Sequence, residues 1–205
     1  MARIRDEYTK KEQIREAAIS VIAKDGFHTA STDKIAAKAG ISVGTIYNYF
    51  KNKSDILDYI FQVEYEKRAA FFKNLQEQKD THPTEKITAI LNMHFKRVSE
   101  NPDLIKVVLE EMRFSQSAYF KQYGRKNGFQ KFLAEIIQDG IKQGKIRKCN
   151  PEIVALTLFG FIEAMMKQYI YQLTEEGSSD VFAHAVEEIN ALIWQGLVVE
   201  GEPND

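Results

Sequence analysis

Val43-Gly44-Thr45-Ile46-Tyr47-Asn48-Tyr49-Phe50 is the stretch whose residue types carry the clearest chemistry. Stepping about 100° per residue from Val43 places Val43, Ile46, Tyr47 and Phe50 on one side of a helix and Gly44, Thr45, Asn48 and Tyr49 on the other. The second face has no charge and little bulk, whereas an exposed helix ordinarily presents Lys and Glu. Glycine for close approach, a Thr methyl and hydroxyl, an Asn amide and a Tyr phenol suit a surface pressed against base edges and phosphates in a DNA major groove. A short buried helix whose Tyr and Asn bond internally is the structural alternative.

Such a face works only if neighbouring elements set its angle. A helical run from Thr32 to Ala39, with Ile35, Ala36 and Ala39 on one stripe, is stopped by Gly40, and Ser42 caps the next helix. The turn Gly40-Ile41-Ser42 then joins two crossing helices as a helix-turn-helix. Thr32 or Ser31 caps the first of the pair, whose N-terminus offers free N–H groups to a phosphate. Ile14, Ala17, Ala18, Val21 and Ile22 predict a supporting helix from Thr9 to Lys24, ended by Gly26, with Phe27 plugging the same small core. Met1 to Tyr8 reads as a charged, mobile tail, from which Arg3 and Arg5 either reach DNA or stay solvated. Asn52 and Asp55 read as a capping box for a long helix from Lys53 to Gln78, a lever whose Lys53 holds a phosphate.

Thr32-Asp33-Lys34-Ile35-Ala36, followed by Ala39 through Lys53, resembles the N-terminal signature of the TetR/AcrR family of one-component transcriptional regulators. Its marks are Gly-Thr at the start of the recognition helix, Tyr-x-Tyr/His-Phe at its end, and Lys-x-Lys leading into the next helix. The resemblance implies an all-α protein of about nine helices, with a helix-turn-helix DNA-binding domain over 1–53 and a ligand-binding and dimerisation domain over 54–205. It implies a homodimeric repressor on a palindromic double-stranded operator, touching DNA through Thr32, Ser42, Val43, Gly44, Thr45, Tyr47, Asn48, Tyr49 and Lys53. Val43 departs from the pattern, because many relatives carry a polar or basic residue there.

Charge is distributed to match. The whole chain has a formal net charge of −1, but residues 1–53 hold ten Lys/Arg against six Asp/Glu and the remainder eighteen against twenty-three. The basic charge sits with the reading head, and a mildly acidic body discourages non-specific wrapping on DNA. The single Cys149 cannot form an intrachain disulfide. Thr157 and Glu163 interrupt the most apolar run short of the roughly 18 residues of a membrane span, and no signal peptide precedes the first helix, so a cytoplasmic location is expected. His28, His82, His94 and His184 lack metal spacing, and there is neither a Gly-rich phosphate loop nor a Gly-x-Ser-x-Gly turn. No enzymatic activity and no resident cofactor are expected.

In the body, helices are predicted from Thr84 to Ser99, from Pro102 to Ser115, from Ala118 or Gly128 to Lys142, from Pro151 to Leu173, and from Ser179 to Leu197. The fourth of these is apolar all round and must be covered on every side. The fifth repeats Phe182, Ile189, Leu192 and Ile193 as a stripe. Too few helices remain to cover both, which predicts a C2 homodimer through a four-helix bundle containing Phe161, Met165, Phe182, Ile189, Leu192 and Ile193, with Gly160 allowing close contact.

Phe61, Tyr65, Phe72, Phe95, Met112, Phe129, Phe132, Leu133 and Phe159 are either plain core or the lining of an apolar ligand cavity. Asp103-Leu104-Ile105, Leu109 to Ser117 and Phe159 to Glu163 are similar to the FadR-type regulators of fatty-acid degradation within the same family, which release DNA on binding long-chain acyl-coenzyme A. That similarity implies a long-chain acyl-CoA effector met by Arg113, with Glu163 nearby and Arg97, Arg125 and Lys126 at the mouth. Pairing of Arg113 with Glu110 or Glu163 is the structural alternative. A sensor of cationic drugs using Glu163 and Glu110, and a lipid carrier without DNA binding, are the competing functions.

Overall fold

The computed structural model describes residues 2–114, 128–172 and 181–199. Among them lie nine helices: α1 (Ala2–Asp25), α2 (Thr32–Ala39), α3 (Val43–Tyr47), α4 (Lys53–Glu77), α5 (Pro83–Glu100), α6 (Pro102–Phe114), α7 (Phe129–Lys142), α8 (Pro151–Gln172) and α9 (Val181–Leu197). The all-α expectation holds, and the borders that move do so for local reasons. α1 starts at Ala2 instead of Thr9, because the charged opening contains no breaker and its Ala, Arg and Glu favour helix. α3 stops at Tyr47, and the N–H groups of Tyr49 and Phe50 both turn back to the Ile46 carbonyl at 2.9 and 3.0 Å. α7 takes the later of its two expected starts, after Gly128.

The chain forms two compact units, one from residues 1–70 and 101–126 and the other from 71–100 and 127–205. By compactness the first unit extends past the expected cut after residue 53. Ile56, Leu57, Ile60 and Phe61 of α4 and Leu104, Val107 and Val108 of α6 are buried in one core with Ile14, Ile22, Ile35 and Ile46. The first three helices, two of them short, gain burial from these additions, and each added large side chain contributes roughly 1.5–3 kcal/mol. α4 is continuous through the boundary at Ala70 and Phe71.

In the second unit α7 packs along α8, while α5 meets α7, α8 and α9. Ile87, Ile90, Leu91, Leu133 and Ile137 are fully buried there. Thr88 Oγ1 donates to Asn190 Oδ1 at 2.9 Å, tying α5 to α9. The link between α7 and α8 is fastened to the end of α9 by the isolated bridge Ile146–Val198 and by the Arg147 N–H to the Leu197 carbonyl at 2.9 Å. Asn150 caps α8 by accepting from the Ile153 N–H at 3.1 Å.

α8 has the length and composition of a membrane span, with 22 % of its most apolar window buried within the chain, a pattern that core helices share. Thr157 and Glu163 do not interrupt it. The Thr157 hydroxyl donates to the Ile153 carbonyl at 2.9 Å, and Glu163 is neutralised by Lys167 one turn on.

Gly140 is where the second unit is tightest. A Cβ there would lie 2.7 Å from Ile146 Cδ1, 2.8 Å from Ile146 Cγ1 and 3.1 Å from Pro83 Cβ, and Ile146 is itself buried. Gly140→Ala is expected to destabilise the protein by about 1–3 kcal/mol, read as a lower urea midpoint with unchanged slope.

Candidate nucleic-acid interface and effector region

The reading pair is held by caps at each end. Ser31 accepts from the Lys34 N–H at 3.2 Å, which settles the α2 cap on Ser31 and leaves Thr32 as the first helical residue. Gly40, at φ 66° and ψ 34°, turns the chain out of α2, a left-handed conformation that a side chain would strain. Ser42 opens α3 by accepting from the Thr45 N–H at 3.1 Å, with the two hydroxyls 2.9 Å apart. From behind, Gln13 Nε2 donates to the Ala39 carbonyl at 2.7 Å. Lys34 bonds Asp25 at 2.6 Å, and that hydrogen bond holds the Asp25 carboxyl below the usual carboxylate range.

On this frame Ser42, Gly44, Tyr47 and Asn48 are exposed, and Thr32 and Thr45 are half-exposed. The Tyr47 phenol lies 3.4 Å from the Thr32 hydroxyl, which joins the start of α2 to the end of α3. Two hydroxyls, a helix N-terminus and an exposed glycine form an uncharged surface able to donate hydrogen bonds to a phosphate. The helical wheel misplaced the two tyrosines. Tyr47 is 53 % exposed, whereas Tyr49 is half-buried and packs with Val43 against the head core. α3 ends at Tyr47, so the tight turn that follows, and not helical periodicity, directs Tyr49.

Lys53 also departs from its expected role. Its ammonium donates to the carbonyls of Phe27 at 2.5 Å, His28 at 3.1 Å and Ala30 at 2.7 Å, and sits 4.6 Å above the Phe27 ring. With its three donors engaged, Lys53 holds the loop before α2 instead of a phosphate. The Asn52 cap forms, to the Asp55 N–H at 3.0 Å, but Asp55 reaches back to the Lys51 N–H at 2.9 Å, one residue earlier than a capping box requires.

Residues expected around a ligand divide between the units. Phe61 is buried in the head core and Tyr65 lies in the same unit. Phe129, Phe132 and Phe159 do come together around Phe72: Phe72 stacks on Phe132 at 4.4 Å and on Phe129 at 5.7 Å, Phe129 meets Phe159 at 5.9 Å, and His94 stands edge-on to Phe129 at 4.7 Å. Phe95 and Leu133 are buried in this unit. Beside the cluster runs an open groove of about 960 Å³, whose wall includes Phe132, Leu75, Ile136, Gln130, Lys131 and Lys86. Phe132 thus belongs to both the aromatic cluster and the groove.

Glu163 is a half-buried carboxylate already paired with Lys167, and Glu110 is exposed, so neither is the buried anion a cationic drug would need. The side chains of Met112, Arg113 and Phe182, and all of Arg125 and Lys126, lie outside the described residues. Of the expected dimer contacts, Phe161 and Leu192 are exposed at 40 % and 57 % and Met165 is half-buried. Ile189 and Ile193 are buried within the unit, because α9 turns that side of its stripe towards its own core.

Comparison with known proteins gives the family. Residues 14–60 match the bacterial regulatory proteins of the tetR family, and residues 80–169 match the tetracyclin repressor-like C-terminal domain. A fatty acid metabolism regulator protein of Bacillus subtilis is 32 % identical over 165 residues, spanning 78 % of this chain and 84 % of the relative. The chain belongs to the TetR family of DNA-binding transcriptional regulators. Its relatives include the FadR-type fatty-acid regulators. The crystal structure of FadR from Bacillus subtilis in complex with stearoyl-CoA is similar at a TM-score of 0.74 and 28 % identity, covering 90 % of this chain and 98 % of that one. The fatty acid degradation regulator FadR from Bacillus halodurans gives 0.75 and 29 %, covering 91 % and 95 %.

Membership in this family makes the exposed residues of α2 and α3 the DNA-reading surface to test. Tyr47→Phe removes only an exposed hydroxyl, so operator affinity is expected to fall about tenfold, as for one hydrogen bond to a charged phosphate, with an unchanged melting temperature. Tyr49→Ala is expected to lower the melting temperature as well, since its ring packs on the head core. Fluorescence anisotropy and thermal unfolding, run on both variants, separate the two roles.

Proposed function

We propose that the protein is a homodimeric repressor of fatty-acid metabolism whose grip on operator DNA is released by long-chain acyl-CoA. The observation that carries this reading is the 32 % identity to a fatty acid metabolism regulator across 84 % of its length, joined to the likeness to a FadR that holds stearoyl-CoA. The reading makes the chain a regulator without catalytic activity, acting in the cytoplasm where its DNA is. Thr32, Ser42, Gly44, Thr45, Tyr47 and Asn48 meet the DNA. The acyl chain enters the body at the cluster of Phe72, Phe129, Phe132 and Phe159. Rings stacked at 4.4 and 5.7 Å leave no room for a chain between them, so the acyl-CoA conformer differs from this one. That difference is what a ligand needs in order to shift an equilibrium.

The dimer follows from the open side of α8 and α9. Ile153, Leu156, Phe161 and Tyr171 of α8 and Leu192 of α9 are exposed apolar side chains, and Gly160 and Ala164 lie exposed amid those of α8. Among the described residues nothing approaches a Cβ at Gly160 within 4 Å, so a second helix can cross closely there. Covering this face with its symmetry mate builds the four-helix bundle, and two recognition helices related by a two-fold match a palindromic operator with half-sites about 34–36 Å apart, one DNA turn.

The effector is tested by fluorescence anisotropy on DNA from upstream of the protein's own gene. Oleoyl-CoA is expected to weaken binding about tenfold or more, and coenzyme A alone to leave it unchanged. Tight binding that oleoyl-CoA does not alter removes the effector and keeps the repressor. Absence of any salt-dependent DNA affinity removes the repressor and favours a lipid carrier.

Sedimentation tests the dimer. Leu192→Glu places a charge on the open face and is expected to yield folded monomers. Ile189→Glu buries a charge in the subunit's own core and is expected to unfold it. A Leu192→Glu protein that still sediments as a dimer removes this interface.

A further inference from the structure

The head core contains a charged cluster that neither DNA contact nor effector binding uses. Arg15 of α1 and Glu64 of α4 are each 5 % exposed, and Arg15 Nη2 donates to Glu64 Oε1 at 2.7 Å. Arg15 Nη1 bonds Glu12 Oε2 at 3.2 Å, and the other Glu12 oxygen accepts from the Tyr59 phenol of α4 at 3.0 Å. Lys67 approaches Glu64 from the solvent side at 4.0 Å. Two residues of α1 are therefore bonded to two residues of α4 that stand five positions apart. Burial and the bond to Glu12 push the Tyr59 phenol well above its ordinary range, so it remains a donor throughout the physiological pH range.

An ion pair buried this deeply is a poor way to gain stability, because desolvation of both charges offsets their attraction, and well-packed apolar residues of similar volume serve as well or better. What the pair supplies is direction. Ile14 and Ile22 of α1 and Ile56, Leu57 and Ile60 of α4 are buried in one core, and non-directional burial of this kind only weakly resists sliding and rotation. A planar guanidinium shared by two carboxylates fixes both. The clamp also lies on the stretch of α4 between Lys53 and the boundary at Ala70 and Phe71, so any displacement of α4 begun beyond that boundary meets it before the reading pair.

We propose that Arg15, Glu64, Glu12 and Tyr59 are positioning residues that lock α1 to α4, so that the setting of α4 is imposed on the recognition helix. The clamp transmits the setting of α4; it does not itself touch DNA. One arm of the test rests on the acyl-CoA reading and the other does not.

The test uses Arg15→Met combined with Glu64→Leu, which removes the buried pair together and leaves the half-exposed Glu12 bonded to Tyr59, and DNA selected in vitro for binding to the wild-type protein. The variant is expected to melt within a few degrees of wild type and to bind this DNA within about threefold of it. Weakening of DNA binding by oleoyl-CoA is expected to fall about fivefold or more relative to wild type. The second readout is the ratio of affinities for sites with the selected half-site spacing and with one base pair inserted, which is expected to fall about fivefold towards one. If oleoyl-CoA has no effect on the wild type, the effector reading fails, and the spacing ratio alone judges the clamp. Where the wild type responds, an unchanged response in the variant overturns the proposal; an unchanged spacing ratio overturns it in either case. Should the double variant not fold, Arg15→Lys keeps the charge but not the fork that reaches two carboxylates, and is read by the same two ratios.

Discussion

The carbonyls of Phe27, His28 and Ala30 converge on the Lys53 ammonium, and that convergence ties the reading pair to the helix that leaves it. Loop carbonyls between two helices have no helical partner, and a charged donor satisfies them more strongly than a neutral one. Ala30 immediately precedes the Ser31 cap of α2, so fixing its carbonyl fixes where α2 begins. α3 follows from α2 through the three-residue turn at Gly40. The angle at which α3 meets DNA therefore refers back to the first residue of α4. The apolar core around Ile14, Ile35, Ile46 and Ile56 supplies most of the burial, but non-directional contacts alone would leave that angle soft.

The parts of this arrangement that were legible in the sequence are those governed by neighbours in the chain. Gly40 as a stop and Ser42 as a cap need only the next few residues, and the structure has both. The nine helices followed from period and breakers. The misplaced residues are those whose role depends on contacts distant in sequence. Tyr49 faced outward on a wheel that assumed a longer helix. Lys53 was assigned to phosphate because the carbonyls it serves lie 23 to 26 residues earlier. Ile189 was given to a partner because a stripe does not say which of its two edges faces home. Arg15 and Glu64 did leave a signal. Arg15 is in line with Ala18, Ile19 and Ile22, and Glu64 with Leu57, Ile60 and Phe61, so opposite charges sit on two apolar stripes.

The division into units changes what the body can do to the head. Had the head ended at residue 53, α4 would be an appendage and its first turn a flexible joint. Instead Ile56, Leu57, Ile60 and Phe61 belong to the head core, together with α6, and about five turns of α4 lie in the same unit as the reading pair. The same helix carries Phe72, whose ring is stacked in the second unit between Phe129 and Phe132. One uninterrupted helix thus has its early residues committed to the DNA-reading core and its late residues committed to the aromatic cluster.

That arrangement constrains how an effector can act. A ligand shifts the protein between two settings only by the difference in its affinity for them, and a tightly binding ligand with equal affinity shifts nothing. An apolar chain that entered a ready-made cavity beside intact rings would have little reason to prefer one setting of α4. A chain that must take the place of stacked Phe72 cannot bind without altering the contacts that hold the end of α4. The closed packing of Phe72, Phe129 and Phe132 lowers the intrinsic affinity for such a ligand, since the ring contacts must first be given up. On the acyl-CoA reading proposed above, the same requirement makes binding and displacement of α4 a single event, and a sensor that must release DNA gains more from that coupling than from affinity.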